Sequence, residues 1–162
     1  MAVNFNVDEI FEIAEQIERN GAKFYREAAG MASDKSVKKM FVDLAAMEEG
    51  HLQIFQEMRR QLGEADKEQT TFDPDNQALL YLQTMADEHG TEGKKDSMTR
   101  LTGRETIKEI FETAVRAERN SIVFYTGLKV MVSAAGRDKL EKIIMEELGH
   151  LAVLKLQLAK LP

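Results

Sequence analysis

Apolar residues recur along four stretches of the chain at steps of three and four, the spacing of one face of an α-helix. The first series runs Val7, Phe11, Ala14, Glu18, Gly21, Tyr25 and Ala28, and the second Val37, Phe41, Leu44, Glu48, His51, Phe55, Met58 and Leu62. The third is Ile107, Phe111, Ala114, Glu118, Ser121, Tyr125 and Leu128, and the fourth Leu140, Ile143, Glu147, His150, Leu154, Leu158 and Leu161. Each series predicts a helix with one core-facing seam. Asn6 with Glu9 supplies an N-cap and a plausible capping box for the first helix, and Thr106 with Glu109 does so for the third. The second helix is expected to begin near Ser33 or Asp34, and the fourth after Gly136. Connections around 30–34 and 133–137 are short enough to make each pair antiparallel neighbours.

The chain repeats itself. A shift of 100 lays Glu9-Ile10-Phe11-Glu12 on Glu109-Ile110-Phe111-Glu112, Glu18-Arg19-Asn20 on Glu118-Arg119-Asn120, and Phe24-Tyr25 on Phe124-Tyr125. A shift of 99 lays Glu48, Gly50, His51 and Leu52 on Glu147, Gly149, His150 and Leu151. Two copies of one helical hairpin explain this, about 6–62 and about 106–160, related by a pseudo-two-fold axis if they pack together. The polar stretch between them, about 63–105, reads as a long crossover and not a second domain, so residues 1–162 are expected to form one domain. Asp73-Pro74 can start a short helix in it with Leu79, Leu82 and Met85 as its apolar face, before Gly90, Gly93 and Gly103 break the pattern. The fold class is therefore all-α, an antiparallel four-helix bundle with the crossover between helices two and three that ferritin-like bundles use.

Composition narrows the function. With a net charge of -6 and no basic patch, a nucleic-acid partner is not expected. The absence of cysteine excludes disulfides, zinc fingers, Cys-ligated iron–sulfur centres and thiol nucleophiles within these residues, and fits a reducing cytosol. No apolar run approaches the ~20 residues that span a bilayer. Asp8, Glu9 and Glu12 stand where a signal peptide needs a basic start and an apolar run. A cytoplasmic protein without membrane contact is expected.

The chemistry lies in what interrupts the seams. Each is broken near its middle by Glu18, by Glu48 and His51, by Glu118, or by Glu147 and His150. Two carboxylates ~4 Å apart repel by roughly 4 kcal/mol even at an effective dielectric of about 20. No Lys or Arg lies on a seam to neutralise them. Protonation could lower the charge, but two divalent cations would balance four carboxylates and two neutral imidazoles outright. Glu48–His51 and Glu147–His150 are each Glu-x-x-His, which projects both side chains from one helix face. Counted from the shared turn at 1.5 Å per residue, Glu18 lies about 18 Å before it and Glu48 about 21 Å after it, so their heights match. In a Glu-rich chain a single Glu-x-x-His could be a surface coincidence, and duplication accounts for the second. Neither accounts for carboxylates at mid-seam on all four helices. His89, in the crossover, reads as a solvated loop residue, and the methionines as core filling.

The pattern Glu18 … Glu48-x-x-His51 … Glu118 … Glu147-x-x-His150 resembles the ferritin-like di-iron carboxylate proteins, and among them the rubrerythrin group. The resemblance implies that Glu48 and Glu147 bridge two metal ions, that Glu18 and Glu118 each cap one, and that His51 and His150 complete the two spheres. It also implies that Tyr25 and Tyr125, seven residues after the capping glutamates, donate a hydrogen bond to a carboxylate near the cluster. The alternative for both is an ordinary core tyrosine with a satisfied hydroxyl. Two departures matter. The Cys-rich rubredoxin-like domain of full rubrerythrins is absent, so electrons are expected from a separate donor protein such as a rubredoxin. Ser121 stands where many rubrerythrins carry an extra glutamate, which argues against a redox-linked movement of iron between that glutamate and a histidine.

Carboxylates with imidazole suit two iron ions, with manganese as the alternative and zinc as a substitute in purified protein. The leading expectation is a non-haem di-iron oxidoreductase, a peroxidase that reduces hydrogen peroxide, with O₂ as the alternative oxidant, to water, working as a homodimer. The runner-up is a ferritin- or bacterioferritin-like protein that oxidises and stores iron. Against it, the sequence ends at Leu161-Pro162 without the fifth helix usual in such cages. A manganese catalase-like enzyme is the third candidate.

Overall fold

The structure is a computed structural model that describes residues 7–63 and 101–161. Asn6, His89 and the short helix expected after Pro74 lie outside the described residues. Among the described residues, four α-helices and no strand are present: α1 Val7–Met31, α2 Lys35–Arg60, α3 Ile107–Leu128 and α4 Ala134–Leu158, with a 3-10 turn at Lys129–Met131. None of these helices is long and apolar enough to cross a membrane. Every residue of the four seams is buried or half-buried, so the periodicity places the core correctly.

The helix starts have local causes. The Asp34 carboxylate accepts from the Ser36 and Val37 N–H groups at the head of α2. Thr106 and Glu109 form the expected capping box on α3. The fourth helix differs from the expectation: it begins at Ala134, before Gly136 and not after it, because the Ser133 hydroxyl accepts from the Gly136 N–H and caps the first turn. Gly136 serves close packing instead. A Cβ there would lie 3.0 Å from Val132 Cβ and 3.4 Å from Met58 Cε.

Two apolar clusters fix the topology. One gathers Val7, Ile10 and Phe11 from the start of α1, Phe55 and Met58 from the end of α2, Leu128 from the end of α3 and Leu140 from the start of α4. The other gathers Ala28 and Ala29, Phe41, Ile110 and Phe111, and Leu154, from the opposite helix ends. Hence α1 runs antiparallel to α2 and α3, while α2 and α3 run parallel. Leu62 packs on the first cluster and Leu101 on the second. The end of α2 and the start of α3 are therefore separated by the length of the bundle. The 26 residues of α2 alone make that about 39 Å, which is why a short hairpin cannot serve there.

Candidate metal centre

Between the two apolar clusters lies a polar layer. Glu18, Glu48, His51, Glu118, Glu147 and His150 are all buried. They fall into two groups, Glu18–Glu48–His51–Glu147 and Glu48–Glu118–Glu147–His150, in each of which one donor atom per residue lies within 4.8 Å of the others. Glu48 and Glu147 belong to both. Neither hairpin completes a group alone, since the first needs Glu147 from α4 and the second needs Glu48 from α2.

The histidines face across the layer. His51 Nδ1 lies 3.0 Å from Glu147 Oε1 and 3.5 Å from Glu18 Oε2. His150 Nδ1 lies 3.1 Å from Glu147 Oε2, 3.2 Å from Glu48 Oε1 and 3.6 Å from Glu118 Oε1. The rings stack with centroids 5.8 Å apart. The tyrosines cross between repeats: Tyr25 donates to Glu118 and Tyr125 donates to Glu18. Burial, with the charges of Glu118 and Glu48 next in size, raises the Tyr25 pKa well above its ordinary value, and burial with Glu18 and Glu147 does so for Tyr125. Both hydroxyls therefore keep their protons and act as donors.

Without cations the layer limits its charge by holding protons. Burial, then repulsion from Glu48, lifts the Glu18 pKa well above the usual carboxylate range, and burial with Glu147 does the same for Glu118. Burial alone would depress both imidazoles. The carboxylates of Glu147 and Glu18 nonetheless push His51 up to about 11, and those of Glu118, Glu147 and Glu48 push His150 up to about 12. Burial opposes ionisation of Glu147 too, but Glu118 and the two histidines hold its pKa below the ordinary range.

The donor set fits metal ions on a further ground. Glu18 Oε2, Glu48 Oε1, His51 Nδ1, Glu147 Oε1 and His150 Nε2 are buried without a well-aligned hydrogen bond among the described residues, and the approaches of the first four to facing groups are charge contacts. Such orphans are costly, at about 1–3 kcal/mol each or more when charged. The first four belong to the shared space, where a cation would satisfy all of them. Space has been left for this. A Cβ on Gly21 would lie 3.1 Å from Glu48 Oε2, so glycine leaves that carboxylate its place. Its counterpart Ser121 turns its hydroxyl away, onto the Ala117 carbonyl at 3.2 Å.

Two contacts escaped the reading of the seams. Glu146 Oε2 lies 2.8 Å from His51 Nε2. Buried Glu15, on α1, pairs with Arg19 at 2.6 Å. Glu146 sits on the outer face of α4, where periodicity makes it one more solvated glutamate. Its one signal is a mismatch between repeats, since the offset of 99 sets Met47 in its place.

Comparison with known proteins gives the family and the fold. A model of the rubrerythrin family matches residues 9–158. A solved structure from Thermotoga maritima, described as a ferritin-like di-iron carboxylate protein, superposes with a TM-score of 0.76 at 23% sequence identity, covering 99% of this chain and 99% of that one. That likeness shows the fold. No curated protein matches the sequence.

Proposed function

The chain belongs to the rubrerythrin family, and from that premise we propose that it reduces hydrogen peroxide to water at a pair of iron ions. The family and the buried carboxylate–histidine layer fit a di-iron protein. In this reading Glu18, Glu48, His51, Glu118, Glu147 and His150 would hold the two ions, Glu48 and Glu147 being common to both groups of donors. When bound, the iron pair supplies two electrons to the O–O bond. The balance is one peroxide, two electrons and two protons giving two waters.

The observation that carries the reading is the pair of buried tyrosine hydroxyls, one on each side of the layer. Tyr25 Oη holds its proton on Glu118, and Tyr125 Oη holds its proton on Glu18. Each orients a carboxylate of the opposite repeat and keeps an acidic hydrogen in a site closed above and below by apolar clusters, where protons are consumed. The electrons come from outside these 162 residues, which contain no cysteine, and a rubredoxin-type donor acting on a homodimer is the arrangement proposed.

Stopped-flow oxidation of anaerobically iron-loaded protein tests this. Peroxide is expected to react much faster than O₂, with two ions per chain kept through repeated turnover. Tyr25→Phe and Tyr125→Phe should each slow peroxide turnover by about 10-fold or more without releasing metal. Faster reaction with O₂, together with iron accumulating far beyond two ions per chain, would instead establish storage.

A further inference from the structure

The two histidines occupy matching positions and are held differently. His51 donates from Nε2 to Glu146 at 2.8 Å, which fixes the ring with Nδ1 turned toward Glu147 and Glu18. By the offset between repeats, the matching support for His150 would come from position 47, and that residue is Met47. A thioether is at best a weak acceptor. Among the described residues, His150 Nε2 is buried with no hydrogen-bond partner. Glu146 itself lies on the wall of an open groove of about 390 Å³ between α2 and α4, beside Gln53, Lys139 and Lys142. It is 52% exposed, so it reaches the site from outside without belonging to the core.

We infer that Glu146 makes the two metal positions unequal, so that the one served by His51 fills first and holds its divalent cation more tightly than the one served by His150. The inference rests on the two-ion reading above. A carboxylate on Nε2–H sets the tautomer that leaves Nδ1 free to bind, raises its basicity, and removes the rotation that binding would otherwise have to freeze. His150 has none of these aids. On binding through Nδ1 its Nε2 must carry a hydrogen into a buried place with no acceptor, which opposes binding.

The test is a Zn²⁺ titration of metal-free full-length protein, with zinc as a diamagnetic probe, followed by the imidazole ¹⁵N signals of His51 and His150. The His51 signals should move with the first equivalent and those of His150 with the second, with affinities about 10–100-fold apart. Glu146→Ala should close that gap by weakening the first step. Met47→Glu should narrow it by strengthening the second. Glu146→Gln, whose carbonyl still accepts from Nε2 without a charge, should fall between wild type and Glu146→Ala. Because Glu146→Ala also takes the acceptor from the buried His51 Nε2–H, the metal-free variant should melt below the wild type, and Glu146→Gln, which keeps an acceptor, should recover the melting temperature while leaving the first binding step weakened. His51 and His150 moving together in the wild type, or an unchanged order in Glu146→Ala, overturns the inference and leaves the two-ion reading standing. Wild-type protein that binds fewer than two ions per chain overturns both.

Discussion

The hairpins α1–α2 and α3–α4 agree at all six donors and both tyrosines, and they disagree in what surrounds them. Gly21 stands against Ser121, Met47 against Glu146, and buried Glu15 against Val115. The first hairpin is stapled by Arg59 of α2, whose guanidinium grips Asp8 of α1 through two bonds of 2.8 Å. Among the described residues, the second shows the pair Lys129–Glu141 near its turn. The difference separates two demands. Inward positions must present matched donors from both copies, because each group of four borrows a shared glutamate from the other hairpin. Positions around the donors decide how firmly each copy is held, and there the copies are free to differ.

The sharpest way to break the agreement is to remove the donors that both groups share. Glu48→Ala combined with Glu147→Ala strips one carboxylate from each hairpin and two from each group. Iron bound anaerobically should fall from two ions per chain to nearly none, counted on desalted protein. Two tightly held ions in that double variant would end the assignment of these residues as ligands.

A smaller effect separates the layer from the apolar clusters on either side of it, which do not titrate. Glu18 and Glu118 have folded pKa values raised from the ordinary 4.5. His51 and His150 are raised from 6.5. For all four, the folded metal-free protein binds more protons than the unfolded chain. Their contribution is complete below the unfolded pKa and is lost as pH rises through the folded one. Glu147 is shifted the other way, so its contribution is lost only below about pH 4.5. The chelated protein should therefore melt lower as pH rises from 5 to 8, by roughly 2–4 °C for each kcal/mol lost in a chain of this size. Metal-loaded protein should not show that fall, because cations replace the protons. A flat melting temperature for the metal-free form across this range would show that the layer does not carry the protons assigned to it.

How much of this the sequence discloses depends on which direction a residue faces. Seams are legible because a helix repeats every 3.6 residues, and a carboxylate among apolar neighbours is conspicuous there; Glu18 and Glu147 stand out at once. Thr106 and Glu109 are equally legible, since a capping box is local. Gly136 misleads because glycine suits a turn as well as a close contact, and the contact with Val132 exists only in three dimensions. The crossing of Tyr25 to Glu118 and Tyr125 to Glu18 depends on how the hairpins dock, which no spacing within one helix records. Glu146 and Arg59 are hidden for a plainer reason: on an outer face a charged residue is the ordinary choice, so its partner gives no mark in the sequence.

The smallest predicted effect concerns the staples themselves. Arg59 is 26% exposed and its partner Glu15 is 6% exposed, while across from Lys129 the Glu141 side chain is 57% exposed. Charge-assisted, two-pronged contacts in partial burial outlast screening better than a single exposed pair. Arg59→Met keeps the apolar stem and removes the grip, leaving Asp8, Glu12 and Glu15 gathered on α1 with one cation fewer. It should cost about 1–2 kcal/mol in urea unfolding of metal-loaded protein. The loss is limited because Arg19 still faces Glu15. Lys129→Met should cost no more than about 0.5 kcal/mol. Raising the salt to about 1 M, where the screening length is near 3 Å, should erase the Lys129 effect and leave most of the Arg59 effect. Equal costs for the two substitutions, or equal sensitivity to salt, would mean that the first hairpin gains nothing from its charge network and that the two copies are held alike.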